Sequence, residues 1–365
     1  MTGRKDKVQD TAFQVLNATD ARERAMWLEV WASWPRRDVF AHPEYVRLYE
    51  SEHERAFVAV YKTDRGTVLY PFLRRYLGSL DWVPEELASW SDTTSPYGYG
   101  GAYYWGDDAA KVEVSDGFWR AYNEWAEREH CISEFIRFHL FEQDLTDYPG
   151  ERILRSKNIV RTLTLSGDNL WMDFKHKVRK NVKKSQRYGL ECIIDEDGRY
   201  LTDFLNIYKS TMGRRNATDF YYFNREYFEA VSSHLPANSA YFHVLDGGKV
   251  VSSELVLYSS ETVYSFIGGT VEEAFDKRPN DLLKYKVMTW AKERGISNYV
   301  LGGGYTPEDG IYRYKLSFAP NGEYYFYTGQ RITNVGRYKE LFNMRRDSLN
   351  GTWQPRHGYF PQYRS

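Results

Sequence analysis

The chain has 365 residues, a formal net charge of −1, and 42% hydrophobic against 27% charged residues. That length is more than a single core commonly serves, and the composition is that of a folded chain. The charge excludes the global basicity of a dedicated nucleic-acid binder, leaving only local patches, and no DNA partner is expected. Tyrosine is in excess, 31 residues beside 20 Phe and 11 Trp. Most of these read as core packing, and the remainder suit a pocket for an amphipathic ligand.

Cys131 and Cys192 lie far apart, with neither a pairing framework nor metal-ligand spacing, which points to a reducing compartment. The opening MTGRKDKVQDTAF is polar and lacks the apolar core of a signal peptide. No run approaches the roughly 18 apolar residues of a membrane span. A cytoplasmic, monomeric protein is expected.

The first lobe predicts a helix over Asp20–Trp34 and another from Pro43. Paired strands follow in AFVAVYKTD and GTVLYPFLRR, around a turn at Arg65–Gly66. A Gly- and aromatic-rich loop runs from Ser91 to Gly106, then a helix over Gly117–Arg128 and strands in SEFIRFHLF and RTLTL. The pattern restarts near Ser166–Asp168. A basic helix, WMDFKHKVRKNVKKSQRYG, leads to the strand LECIID, the helix LTDFLNIYKSTMG and another helix from Asn224. Strands AYFHVL, KVVSSELVLY and ETVYSFIGG, the helix PNDLLKYKVMTWAKERG and the strand NYVL complete the lobe.

That second series resembles the core of the GNAT acyltransferases, and the first lobe resembles a decayed copy of it. The implied fold class is α/β (α+β), two tandem GNAT-like domains of mixed sheets flanked by helices. Residues 1–166 would form the N-terminal, acceptor-side domain, 167–347 the C-terminal catalytic domain, and 348–365 a tail. A CoA-dependent GNAT enzyme needs glycines before its long helix, so that backbone N–H groups can wrap a pyrophosphate. Here Phe275–Leu283 includes Pro279, and no Gly occurs between Thr270 and Gly295. The expectation is a retained helix without its CoA cradle. Asn280 and Asp281 also suit plain helix capping.

The segment Tyr299–Tyr305 (YVLGGGY) and the following Asp309–Phe318 (DGIYRYKLSF) resemble the C-terminal signature of the Fem family. RKNVKKSQRYG, TMGRRNATDFYYF, RPNDLLK, FAHPEY and SPYGYGG match further parts of it in order. The resemblance implies transfer of an amino acid from aminoacyl-tRNA onto an amine of a peptidoglycan precursor, or of a natural-product or peptide acceptor. It places Lys315, Tyr314 and Phe318 at the catalytic end. Lys315 would face a developing oxyanion, a leaving ribose oxygen or a tRNA phosphate, and Tyr314 would support the aminoacyl or adenine end by stacking.

Gly302, Gly303 and Gly304 let backbone approach a ligand or another chain segment. Arg214 and Arg215, ahead of Tyr221 and Tyr222, suit a nucleotide- or lipid-diphosphate acceptor; helix-dipole partners are the plainer alternative. Asn280 and, from the first-lobe loop, Tyr97 join these as substrate-binding candidates. Lys180, Lys183 and Lys184 fall in a helix dense enough in charge for tRNA or for peripheral contact with anionic lipid. Asp309 and Glu254 are the candidate bases. The long coiled-coil insertion of some family members is missing, and the first lobe matches too loosely to identify the acceptor.

An aminoacyl ester is already activated, so neither a metal nor a cofactor nor a nucleophilic side chain is required. No HExxH, G-x-S-x-G or phosphate-loop pattern occurs. Three classes stay open: tRNA-dependent aminoacyl transfer, CoA-dependent N-acylation, and an inert diphosphate-binding module.

Overall fold

The computed structural model describes residues 12–215 and 222–365. The polar residues before Ala12, and Tyr221, lie outside the described residues. The chain divides into two compact units. The first contains residues 12–35, 40–155 and 326–365, and the second 36–39 and 156–325.

In the first unit Asp20 caps helix α1 (Ala21–Ser33), its side chain accepting from the N–H groups of Arg22 and Glu23 at 2.8 and 2.9 Å. Helix α2 (Pro43–Arg47) opens with proline at its first turn. Strands β1 (Ala12–Asn17), β2 (Glu54–Lys62) and β3 (Gly66–Tyr76) pair antiparallel. The Ser91–Gly106 segment, expected as a loop, contains two short strands, β4 (Ser91–Thr94) and β5 (Tyr103–Gly106), both antiparallel to β3. Helix α3 starts earlier than its hydrophobic pattern suggests and covers Lys111–Arg128. Strand β6 (Cys131–Arg137) runs parallel to β4. The core collects Trp27, Trp34, Phe72, Phe118, Tyr122 and Trp125. Tyr45, Tyr70, Tyr103 and Tyr122 are among the largest fully buried side chains, so much of the tyrosine excess is core.

The second unit begins on strand β7, whose full extent is Glu151–Thr162. The expected single basic helix is two, α4 (Gly167–Asp173) and α5 (His176–Arg187). Phe174 breaks it by turning extended and burying its ring against Phe318 and Tyr285. Then come β8 (Glu191–Asp195), α6 (Leu201–Arg214), α7 (Arg225–His234) and β9 (Ser239–Asp246). They are followed by β10 (Lys249–Tyr258), β11 (Thr262–Thr270), α8 (Pro279–Glu293), β12 (Asn298–Gly302) and α9 (Gly310–Leu316). Strand order is β7-β12-β11-β10-β9-β8, with the β11–β12 pair parallel and the rest antiparallel.

His243 on β9 stands opposite Ser253 on β10 and Ile193 on β8. Its Nδ1 is 2.5 Å from the Ser253 hydroxyl, and Nε2 is 3.4 Å from Asp195. All three residues are buried, so this trio ties strands together and offers no nucleophile to a substrate.

The sequence pattern puts residues 326–347 in the catalytic lobe and leaves 348–365 as a tail, whereas the structure packs both stretches with the first unit. Strand β13 (Glu323–Ile332) pairs antiparallel with β6, and α10 (Val335–Ser348) follows it. The final residues are held by a buried carboxylate. Asp92 accepts from Arg364 Nε at 2.5 Å, Arg75 Nε at 2.6 Å and the Tyr363 hydroxyl at 2.9 Å.

Burial by itself would push the Asp92 carboxyl up; Arg364 and Arg75 outweigh it and hold the group below its ordinary value. A carboxyl depressed by folding contributes stability above its unfolded pKa and loses it as pH falls through the folded value. Arg364→Met should therefore cost about 3 kcal/mol at neutral pH, with Arg75 still in place. In urea titrations the deficit should shrink steadily as acid protonates Asp92; a deficit that ignores pH would contradict the ion-pair account.

Candidate active site

Strand register decides which side chains meet helix α8. Glu254 and Val256 share one face of β10, and Val256 stands opposite Ser265 on β11. A register shift between Leu255 and Val256 sets that alignment. Val263, on the same face as Ser265, stands beside Tyr299 of β12. Glu254, Ser265 and Tyr299 thus point to the side on which α8 packs its Leu283, Val287 and Ala291. Lys284 of α8 reaches into this group. Its ammonium donates to Glu254 Oε2 at 2.6 Å and to Ser265 Oγ at 2.6 Å, with the Tyr299 hydroxyl at 3.3 Å. Tyr299 donates to the other Glu254 oxygen at 2.7 Å.

Lys315 on α9 lies at the end of β12. Its Nζ donates to the Gly303 carbonyl at 2.7 Å. Gly302 has φ 78°, and a Cβ there would stand 3.3 Å from Lys315 Nζ. A Cβ on Gly303 would meet the Lys157 carbonyl at 3.0 Å, and one on Gly304 would meet Asp309 at 2.5 Å. The three glycines therefore let chain segments close around the lysine. Burial pushes Lys315 down to about 7, and the nearby Lys284 ammonium adds to the effect.

Asp309 caps α9. It accepts from the N–H groups of Tyr312 at 2.7 Å, Tyr305 at 2.7 Å and Thr306 at 3.2 Å. Those bonds, the one from Tyr312 foremost, hold its carboxyl below the ordinary range. A carboxylate so engaged is a weak proton acceptor.

The N-terminus of α8 is already occupied by the protein. Arg278 precedes the helix at φ 61°, and Pro279 supplies no N–H. Asp281 is buried in the first turn, hydrogen-bonded to Asn181 of α5 at 3.1 Å. Burial pushes its carboxyl up to about 6 against the pull of Asn181, Arg278 and Lys177. The Ser185 hydroxyl of α5 lies 2.9 and 2.7 Å from the Lys277 and Arg278 carbonyls. Helix α5 and a carboxylate thus cover the end where a pyrophosphate would need bare N–H groups.

Residues 172–316 match a family model described as an acetyltransferase (GNAT) domain. Among solved structures, FemX superposes with a TM-score of 0.64 at 14% identity, covering 87% of this chain and 98% of that one. The chain has a Fem-like GNAT fold. The C-terminal domain of a putative lysylphosphatidylglycerol synthetase from Agrobacterium fabrum shares that fold at TM-score 0.51 and 13% identity, covering 86% of this chain and 94% of that one. So does a conserved protein of unknown function from Bacteroides thetaiotaomicron VPI-5482, at TM-score 0.53 and 13% identity, covering 87% and 98%. No curated protein matches the chain. No helix among the described residues is long and apolar enough to cross a membrane.

Within the Fem-like GNAT fold the expected site residues separate. Tyr314 packs edge-on against Phe318, and its buried hydroxyl has no hydrogen-bond partner among the described residues. Phe318 is fully buried and belongs to the core, so its part is support for Tyr314. Arg214 closes α6 and donates to the Thr270 carbonyl at 2.9 Å, while its guanidinium lies over Phe275. Arg215, the exposed C-cap of α6, is close enough to Lys315 to depress it. Tyr222 is exposed, and Asn280 is half-buried at the second position of α8.

Tyr97 lies in the first unit, with its ring under Arg137. Lys180 and Lys183 line an open groove of about 540 Å³ with His176, Arg179, Gln186 and Arg187; Lys184 leans on Tyr188 instead. Lys284 and Asp281 fall in the segment RPNDLLK and Tyr299 in YVLGGGY, but the sequence gives neither Lys284 nor Tyr299 a role of its own, since a lysine inside a helix reads as surface, and Asp281 reads there as a cap; Ser265 carries no functional signal.

If Asp309 acts only as a cap, Asp309→Asn keeps the oxygen that accepts from Tyr312 while giving up the one that accepts from Tyr305 and Thr306, and should leave acyl transfer within a few-fold of wild type. Loss of a general base would instead cost about 10²–10⁴ in rate. Asp309→Ala should lower stability by about 1 kcal/mol. Thermal melts and turnover on the same preparations separate the two roles.

Proposed function

We propose that the protein is a tRNA-dependent aminoacyltransferase acting on an amine acceptor, a nucleotide- or lipid-linked peptide or a related natural-product amine. The observation that carries this reading is the covered N-terminus of α8 in a GNAT fold, where Asp281 and α5 close the helix end at which a CoA pyrophosphate would need bare N–H groups. The basic groove on α5 supports a polyanionic donor, and Arg214 and Arg215 support a diphosphate on the acceptor. The acceptor nitrogen attacks the ester carbonyl, the C–N bond forms, and the bond to the ribose oxygen breaks. Holding the two partners in line, stabilising the oxyanion and moving one proton suffice for this chemistry.

The test is incubation with charged tRNAs and candidate amines, read by mass spectrometry, beside a calorimetric titration with acetyl-CoA. Transfer from tRNA with weak CoA binding supports the proposal. CoA binding at micromolar affinity with acetyl turnover would replace it with CoA-dependent N-acylation, which the matching acetyltransferase model favours.

Lys315→Met should lower transfer about 10²–10³-fold with little change in melting temperature, because Met retains most of the apolar stem. A large drop in melting temperature with normal turnover would make Lys315 structural. Charge reversal at Lys180 and Lys183 should weaken tRNA binding and flatten its dependence on log salt by roughly 0.7–0.9 for each phosphate no longer neutralised. Unchanged affinity and slope would leave α5 as a solvated face.

A further inference from the structure

Arg137, on β6 of the first unit, is held firmly and yet has no carboxylate. Other arginines of that unit are ion-paired: Arg74 with Glu129, Arg75 and Arg364 with Asp92, and Arg331 with Glu134. The Nε of Arg137 donates to the Gly98 carbonyl at 3.2 Å. Its two terminal nitrogens make no hydrogen bond or ion pair among the described residues. The side chain is half-buried, with its guanidinium carbon 5.6 Å from the centre of the Tyr97 ring and 5.4 Å from that of Phe326.

The loop over residues 95–101 is built around this side chain. The Ser95 N–H donates to the Phe135 carbonyl at 3.0 Å, and the Ser95 hydroxyl accepts from the Arg137 N–H at 2.9 Å. The Tyr45 hydroxyl donates to the Tyr97 carbonyl at 2.7 Å, and the Gly100 carbonyl accepts from the His139 N–H at 2.7 Å. Gly98 has φ 99°, and a Cβ there would stand 2.4 Å from the Phe40 ring. Only glycine can bring its carbonyl to Arg137 by this path. Arg137 points away from Ile136 and Phe138, which belong to the core on the other face of β6. Its register partner on β13, Thr328, accepts from Arg155 Nε at 2.7 Å, a second guanidinium with no carboxylate among the described residues.

A guanidinium packed on two rings and tied by its Nε has lost much of its freedom before any ligand arrives. Cation–π contact accounts for the rings but makes no use of the terminal N–H groups. What Arg137 still offers is the edge that carries Nη1 and Nη2. Two parallel N–H bonds from that edge match the two coplanar oxygens of a carboxylate.

We propose that Arg137 binds a carboxylate carried by the acceptor, so that the acceptor is an amine with a free carboxylate of its own, an amino acid or a peptide. The assignment to the acceptor rests on the aminoacyl-transfer reading. In that reaction the α-carboxyl of the donor amino acid is esterified to ribose, and the tRNA offers phosphates. The carboxylate that Arg137 recognises is therefore the acceptor's.

The first measurement uses the full chain and needs no transfer. Phenylglyoxal modifies free guanidinium groups, and mass spectrometry of the Arg137 peptide reports how much has reacted. The dipeptide lysyl-alanine should slow this modification and its C-terminal amide should not, while inorganic phosphate should protect less than the free acid. Arg128, exposed at the end of α3, is the control and should label equally in all three. Equal protection by acid and amide, or stronger protection by phosphate, overturns the proposal.

The second measurement uses the amine found to accept, as its free acid and as its C-terminal amide. Arg137→Gln should raise KM for the acid about 10- to 100-fold and leave KM for the amide unchanged. Arg137→Lys keeps the charge without the fork and should fall between wild type and Arg137→Gln. A rise shared by acid and amide would mean only that the loop has lost its support, and would overturn the proposal. Wild-type KM values that coincide for acid and amide also overturn it, with the aminoacyl-transfer reading intact. Selective protection in a protein that transfers nothing from charged tRNA leaves the carboxylate site standing and ends that reading.

Discussion

A lysine and a glutamate that face each other away from water can neither separate nor lose one partner without leaving a bare charge in an apolar interior. That constraint organises the second unit. It fixes the rotation of α8 about its axis, because Lys284 must stand over Glu254, and it fixes the register of β10 on β11, because Ser265 must face the same ammonium. Tyr299 ties β12 into the arrangement by bonding the second carboxylate oxygen. The glycines that end β12, and α9 with Lys315 beyond them, start from a strand whose placement is already decided. Slipping β10 by one residue would turn Glu254 to the opposite face and dismantle the site together with the core.

The N-terminus of α8 is closed by the protein's own groups. Helix dipoles draw anions to their N-termini, and here the anion is the protein's own Asp281, seated under α5. The same helix α5 turns Val178 and Val182 inward and its cations outward. One short element thus covers the N-terminus of α8 and presents a charged surface.

Much of the fold was legible because its signals are local. Asp20 before a hydrophobic period, Pro279 at a first turn and the alternation in KVVSSELVLY each locate an element with little help from elsewhere. The break between α4 and α5 was not legible, since Phe174 bends the chain to reach Phe318, far away in sequence. The return of β13 to the first unit was hidden for the same reason: EYYFYTGQRI alternates well enough, but its partner β6 lies far earlier in the chain. In the candidate site the glycines and Lys315 could be found as a contiguous motif. Lys284 ends the matched segment RPNDLLK, but its burial could not be read there, because a lysine becomes a core residue only when a distant glutamate and tyrosine face it.

The late return of β13 also sets an order of events during synthesis. The strands of the first unit leave the ribosome early, yet β6 has no antiparallel neighbour in β13 until Ile332 has emerged, and Asp92 has no Arg364 until the last residues follow. The whole of the second unit is made in between, apart from the short segment 36–39. The N-terminal sheet therefore waits with an open strand edge, the kind of surface that pairs with other chains. The second unit, otherwise contiguous from residue 156 to 325, can close while that edge is still exposed. The second unit can thus be finished before the part that was translated first.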